Sequence, residues 1–230
     1  MDLDGVPPRV VGEEDLAGFT AGRLLEVTAA VTMILTLPAV YPIDALAVAT
    51  GQGEQWRLVH AIREWDADPR LRHLLVANGH PAERTYVDIT LDHLHDLGLR
   101  RVGGVCIQAE PAPNTSLQAL WIAEQIRERG ITGLGLVVSP YHLPRAYLTV
   151  LKELGRAGIR LPLIPVPVDV APGTPVPETG ATAYDLVPGE VKRILTYMDK
   201  GWVATLEELQ AYLEWLWGWL PTTAAGDERG

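Results

Sequence analysis

The chain predicts an α/β fold: a Rossmann-like, doubly wound, mainly parallel sheet of about five strands, with helices on both faces and extra N- and C-terminal helices. Three observations carry this expectation. Short apolar runs such as LGLVV at 134–138 recur along the chain, and such runs suit strands buried on both faces. Each is followed by a stretch with helical spacing, and turn residues separate the two. The chain has 230 residues, 47% of them apolar, enough for one large domain with a substantial core.

In chain order, residues 1–12 are rich in Pro and Gly and read as loose. Helix-like residues run from 13 to 37 and stop at Pro38. Ile43–Ala49 reads as the first strand and Glu54–Trp65 as its helix. Leu74–Ala77 and Arg84–Leu97 form the next pair, with Gly98 as the stop. The run GGVCIQ at 103–108 is the third strand, and Thr115–Arg129 the helix after it, closed by Gly130. Leu134–Ser139 and Pro144–Arg156 follow, then a fifth strand at Leu161–Val166. Residues 167–187, rich in Pro, Gly and Thr, read as a long excursion loop able to act as a lid. Helices at 188–199 and 206–219 close the chain, the second opened by a Thr205–Glu208 capping box. The organisation is therefore an N-terminal loose segment and packing helix (1–42), a Rossmann-like domain (43–205), an apolar helix (206–220) and a disordered tail (221–230).

On the last helix Leu206, Leu209, Leu213, Leu216 and Leu220 share one side, flanked by Tyr212, Trp215 and Trp219. That arc is wider than the core stripe of a surface helix. It suits either a helix wedged between the sheet and the N-terminal helix or a homodimer interface.

Composition excludes several classes. A net charge of −10 argues against a nucleic-acid partner and against a polybasic membrane patch. The acidic start is the wrong sign for a signal peptide. Residues 27–40, the only candidate membrane segment, are too short to span a membrane, carry three threonines and Pro38, and read as a buried helix. A lone cysteine, Cys106, cannot pair internally and sits in an apolar run, as a core thiol would. The expectation is a soluble, cytoplasmic protein.

In a doubly wound sheet the strand C-terminal ends open on one edge, where ligands bind. The unusual polar residues fall there. Thr50-Gly51-Gln52-Gly53-Glu54-Gln55 follows the first strand, and Asn78-Gly79-His80-Pro81 with Glu83 the second. Glu110 and Asn114-Thr115 follow the third, and Ser139, Tyr141, His142 and Arg145 the fourth. The first turn is neither G-x-G-x-x-G nor a Walker loop, but its glycines let backbone amides approach an anion. Thr115 and Gln118 have capping-box spacing, which leaves Asn114 and Glu110 unexplained. Pro144 suits a first helical turn, so His142 and Arg145 straddle a helix start. There a guanidinium can grip a phosphate or carboxylate and an imidazole can shuttle a proton. His93 and His95 are two residues apart on a helix and do not form a metal pair; His60 and His73 carry no role. No metal site is expected.

The stretch Asp44-Ala45-Leu46 before a glycine turn, Glu110 with Asn114-Thr115, and Ser139-x-Tyr141-His142-x-Pro144-Arg145-Ala146 resemble the YdcF/SanA/ElyC-like family, long catalogued as a domain of unknown function. Residues 190–201 (EVKRILTYMDKG) resemble the C-terminal segment of its cytoplasmic YdcF-like branch, and the likeness covers roughly 43–205. It implies a Rossmann-like domain with the site at the strand ends, built from Gly51, Gly53, Asn78, Gly79, Glu110, Asn114, Thr115, Ser139, His142 and Arg145. Some members are reported to bind S-adenosylmethionine; others are tied to envelope polysaccharide or lipid-carrier metabolism. Here Ala77-Asn78-Gly79-His80 stands where the family commonly has Ser-Gly-Gly.

Three functions follow as expectations. The first is a small-molecule-binding enzyme for S-adenosylmethionine or another nucleotide-like ligand. The second is a phosphoester hydrolase or transferase with His142 as acid/base, Glu110 orienting it and Arg145 clamping phosphate. The third is a non-catalytic sensor or dimeric scaffold. In the first two Gly51, Gln52, Gly53, Asn78, Gly79, His80, Asn114, Thr115, Ser139, Tyr141 and Arg145 hold the ligand.

Overall fold

Five short runs pair side by side and in parallel: Ala45–Ala49 (β1), His73–Ala77 (β2), Val105–Ile107 (β3), Leu134–Val138 (β4) and Leu163–Pro167 (β5), in the order β3-β2-β1-β4-β5. The computed structural model describes residues 12–37 and 42–219. Every residue of β1 and β4, the central strands, is buried. That is why their sequences are apolar throughout rather than alternating. Successive residues feed two cores. Ala45, Ala47, Ala49, Leu134, Leu136 and Val138 face one; Leu46, Val48, Leu74, Val76 and Val137 face the other. The expected doubly wound α/β fold is what the chain forms.

Seven helices accompany the sheet among the described residues: Ala21–Leu35 (α1), Gln55–Ala67 (α2), Leu91–Asp96 (α3), Thr115–Arg129 (α4), Leu143–Arg156 (α5), Ala183–Asp199 (α6) and Leu206–Trp219 (α7). Residues of α2 and α3 fill one core; those of α1, α4, α5, α6 and α7 fill the other. No helix of the described residues is long and apolar enough to cross a membrane. The expectations for residues 1–11, for Pro38, for the Trp219 side chain, for Leu220 and for 221–230 lie outside the described residues.

Three local expectations are corrected. The helix expected over Arg84–Leu97 is confined to Leu91–Asp96, capped by Thr90, whose Oγ1 accepts from the His93 N–H. The Arg84 and Thr85 amides instead donate to the Glu178 carboxylate at 3.1 and 2.9 Å, which commits them to a loop–loop contact. The helix expected at 188 begins at Ala183, because Thr182 and Asp185 form a capping box one turn earlier. At α4 the cap is Asn114, whose Oδ1 accepts from the Leu117 N–H at 3.0 Å, and Thr115 is the first helical residue. The Thr205–Glu208 box at α7 is present, with bonds of 2.8 and 3.2 Å.

The wide apolar arc of α7 is used inside the chain. Leu209, Tyr212, Leu213 and Leu216 are buried, while Glu207, Gln210, Ala211 and Glu214 are exposed. Tyr212 also covers the edge strand β5. Its hydroxyl accepts from the Leu163 N–H at 2.7 Å and donates to the Leu161 carbonyl at 3.1 Å. Edge strands carry backbone groups that need such cover. Tyr212→Phe keeps the ring and leaves that buried amide unpaired, so it should destabilise the fold by about 1–3 kcal/mol in urea denaturation.

Candidate functional site

The turn after β1 is shaped by three consecutive residues with positive φ: Gly51 (136°), Gln52 (58°) and Gly53 (70°). Gln52 is the only non-glycine among the described residues in that region. Its neighbours hold it there. Its N–H donates to Glu83 Oε2 at 2.5 Å, and its carbonyl accepts from the Glu178 N–H at 3.2 Å. The turn after β2 comes up against it: a Cβ on Gly79 would lie 3.3 Å from the Gly51 Cα. Thr50 ties the two strand ends together, its Oγ1 donating to the Ala77 carbonyl at 2.6 Å.

Between β1 and β4, where the strand order reverses, the loops are clamped by a buried ion pair. Arg57 and Glu54, one turn apart at the start of α2, are 2% and 4% exposed and in direct contact. Burial pushes the Arg57 guanidinium below its ordinary value. Ser139 at the end of β4 completes the clamp. Its Oγ donates to Glu54 Oε1 at 2.8 Å and accepts from Trp56 Nε1 at 3.0 Å and Arg57 Nε at 3.1 Å. Arg57 Nη1 also donates to the Ala49 carbonyl at 2.9 Å. The Tyr141 hydroxyl reaches Gln52 Oε1 and Glu54 Oε2 at 3.3 and 3.2 Å.

Beside this clamp lies a cleft of about 60 Å³ lined by the 50–52 turn, Arg57, His80, Glu83, residues 112–115, Gln118, His142 and Arg145. His142 caps the start of α5, with Pro144 in the first turn. Its Nδ1 lies 3.3 Å from Glu190 Oε2, on α6. The same carboxylate accepts from Arg145 Nε at 2.5 Å and Nη2 at 3.2 Å, and from Arg193 Nη1 at 3.0 Å. Arg145 Nη1 donates to Thr115 Oγ1 at 3.2 Å, so α4 and α5 meet across the cleft.

These contacts set the charge states. Burial, reinforced by the Arg145 charge, pushes His142 down to about 4. Burial opposes ionisation of Glu190, yet Arg145 and His142 hold its carboxyl well below the usual carboxylate range. Burial also works against the charge on Arg145, and Glu190 more than restores it. His142 is thus neutral at physiological pH. With Nδ1–H committed to a carboxylate, Nε2 is the nitrogen left to accept a proton. Glu83 moves the other way: burial pushes its carboxyl up against the opposing pull of the Gln52 N–H.

Of the expected site residues, the cleft gathers Gly51, Gln52, His80, Asn114, Thr115, His142 and Arg145. Gly53 and Gly79 line a neighbouring hollow of about 40 Å³ that shares Thr50, Gly51 and Glu83 with the cleft. Asn78 and Ser139, expected at the ligand, lie beneath it as buried braces. The Asn78 N–H donates to Gln108 Oε1 at 3.1 Å, and its Oδ1 accepts from the Gly79 N–H at 2.8 Å. Tyr141 supports the Gln52 turn from behind. Glu110 is exposed and lines neither hollow; the carboxylate beside His142 is Glu190.

Sequence reasoning missed Arg57, Gln118 and Glu190 as site residues. Gln118 donates to the Thr50 and Asn78 carbonyls at 3.0 and 2.7 Å, joining both turns to α4. A signal existed for Glu190, since Leu186, Glu190 and Ile194 sit at i,i+4 spacing and all are buried. A charge inside an apolar stripe needs a partner. A larger hollow of about 560 Å³ lies between the C-terminal part of α5 and α7. In this topology that end of α5 belongs to the opposite sheet edge from the strand ends.

Two outcomes follow. Arg57→Ala strands the Glu54 charge and should cost about 3–5 kcal/mol in chemical denaturation. The double substitution Glu54→Leu with Arg57→Met should cost less than the single one. For His142, the folded group titrates near 4 and the unfolded one near 6.5. Between those values the unfolded chain binds a proton that the folded chain does not, so stability is full above 6.5 and drains as pH falls towards 4. The loss is on the order of 3 kcal/mol, and His142→Asn should remove that part of the slope when denaturation is compared at pH 7 and pH 4.5.

In comparison with known proteins, no family model and no curated protein matches the chain.

Proposed function

We propose that the chain is a phosphoester hydrolase or transferase that receives the phosphoryl group of a small molecule in the cleft between the Gly51 turn and the start of α4. The observation that carries this reading is the His142–Glu190–Arg145 arrangement. A neutral imidazole with one nitrogen fixed by a carboxylate is a positioned general base, and a guanidinium beside it suits the charge that develops on a phosphoryl group. The first-turn amides of α4 add donors, since helix N-termini leave N–H groups free for anions. The Asn114 Nδ2 group is buried without a hydrogen-bond partner among the described residues, a further donor at the same rim.

Size favours this reading over S-adenosylmethionine. Sites that enclose a drug-sized ligand run to roughly 300–1,000 Å³, whereas about 60 Å³ suits a phosphate-sized head group. At the end of β2, where a ribose would need a carboxylate, Asn78 has its Oδ1 occupied by Gly79. The likeness to the YdcF/SanA/ElyC-like family supports a site at this place, because the Thr115–Arg145 hydrogen bond joins the two halves of the resembling motif. The free thiol of Cys106 suits the cytoplasmic location we propose with it.

A panel of phosphomonoesters tests the proposal. The wild type should turn over at least one, His142→Asn should lower kcat/KM by about 10²–10⁴, and Arg145→Lys should weaken phosphate binding because a single ammonium cannot replace the planar fork. Calorimetry should show heat with inorganic phosphate. Heat with S-adenosylmethionine and none with phosphate would overturn the proposal in favour of a nucleotide-like ligand.

A further inference from the structure

We propose that Glu83 is the general acid of this site, protonating the leaving-group oxygen while His142 takes the proton of the attacking water. The inference rests on the phosphoester reading and adds a second catalytic residue to it. Glu83 has no helix or strand of its own to serve, yet its carboxyl is drawn into the cleft that His142 and Arg145 line. One oxygen, Oε2, is fixed by the Gln52 N–H at 2.5 Å. The other, Oε1, lies 3.3 Å from where a Gly51 Cβ would be, so it rests against the turn that lines the cleft. No cation forms a salt bridge with it among the described residues. That sets it apart from the buried Glu54, Glu153 and Glu190, each of which has a guanidinium partner.

The groups facing it are mixed. Glu178 of the 168–182 segment and burial both favour its protonated form, while the Gln52 amide, His80 and Arg57 favour the charged one, and burial is the largest of these influences. A carboxyl that keeps its proton more readily than usual can donate it; a neighbouring imidazole that resists protonation can accept one. In a hydrolysis the water O–H breaks towards His142 Nε2 as its oxygen bonds to phosphorus. The phosphorus–oxygen ester bond breaks, and the Glu83 proton goes to the departing alkoxide. The products are the alcohol and phosphate, with imidazolium and carboxylate left on the protein. Solvent then returns each to its starting state.

The leaving group provides the test. Glycerol phosphate must expel an alkoxide and needs the proton; 4-nitrophenyl phosphate expels a stabilised phenolate and needs it far less. Glu83→Gln should lower kcat/KM for glycerol phosphate by about 10²–10⁴ and for 4-nitrophenyl phosphate by at least tenfold less. Glu83→Asp should recover part of that difference. The wild-type rate with the alkyl ester should fall as pH rises through the Glu83 titration, and the glutamine variant should lack that limb. Thermal melting and inorganic phosphate binding by each variant report whether the turn stays folded; should Glu83→Gln unfold, the leaving-group ratio of Glu83→Asp carries the test. Equal losses on both substrates would overturn the role of Glu83 and leave the phosphoester reading standing. A wild type that cleaves neither substrate and still binds phosphate would remove both.

Discussion

The site depends on a buried pair of charges. Glu54 and Arg57 are buried where the chain changes direction between β1 and β4, and Ser139 is held between them by three hydrogen bonds. Burying an ion pair is expensive unless its remaining donors and acceptors are satisfied. Here most of them are satisfied by Ser139, Tyr141 and the Ala49 carbonyl, groups from the ends of the two strands that flank the crevice. The requirement that this network stay complete fixes the spacing of the β1 and β4 loops. The positions of Gln52 and His142 follow from it. An apolar replacement could be as stable, but it would not specify where those loops sit relative to one another.

Much of this was legible in the sequence, for reasons that are local. Strands such as LGLVV are apolar on both faces, and the glycine at Gly130 ends α4 in the left-handed conformation, as its place in the sequence predicted. The convergence of four loops at one edge follows from parallel topology alone, so Gly51, His80, Thr115, His142 and Arg145 could be placed together before any coordinates. The partners of those residues could not. Glu190 lies 45 positions beyond Arg145 and reaches Arg145 and His142 because α6 packs against α5. The α4 cap shows the finer difficulty. Asn114 and Thr115 both have suitable side chains, and the choice fell to Asn114 because Thr115 Oγ1 is wanted by Arg145. Similarly, the residues at 84–90 have helical spacing, and it was the Glu178 carboxylate that drew their amides elsewhere.

Glu178 connects the long 168–182 segment to the site. Its carboxylate binds Arg84 and Thr85, its amide binds the Gln52 carbonyl, and the Arg84 guanidinium returns hydrogen bonds to the Pro177 and Glu178 carbonyls at 2.7 and 2.9 Å. Gly53 lies beneath: a Cβ there would come within 2.8–2.9 Å of Thr85 and Pro177. The segment is therefore fastened over the first turn by contacts that also keep Gln52 in its strained conformation. Residues outside the sheet thereby help set the shape of the cleft.

Low dielectric sorts the cleft's titratable groups. Desolvation disfavours whichever form is charged, so with nothing else acting it lowers a histidine and raises a glutamate. His142 and Glu83 follow that rule, one down and the other up. Glu190 breaks it, because Arg145 and His142 supply more attraction than burial removes. The cleft is thus lined by a carboxyl biased towards the acid and an imidazole biased towards the base, with a carboxylate held as an anion behind the imidazole. Burial sets the bias of the imidazole first, with the Arg145 guanidinium lowering it further and the Glu190 carboxylate pulling it back up. Bringing a dianionic phosphate beside Arg145 would offset part of that guanidinium field and shift His142 back up towards the ordinary imidazole value. Under the proposed phosphoester reading, the imidazole would then be more basic with a phosphate bound than without one.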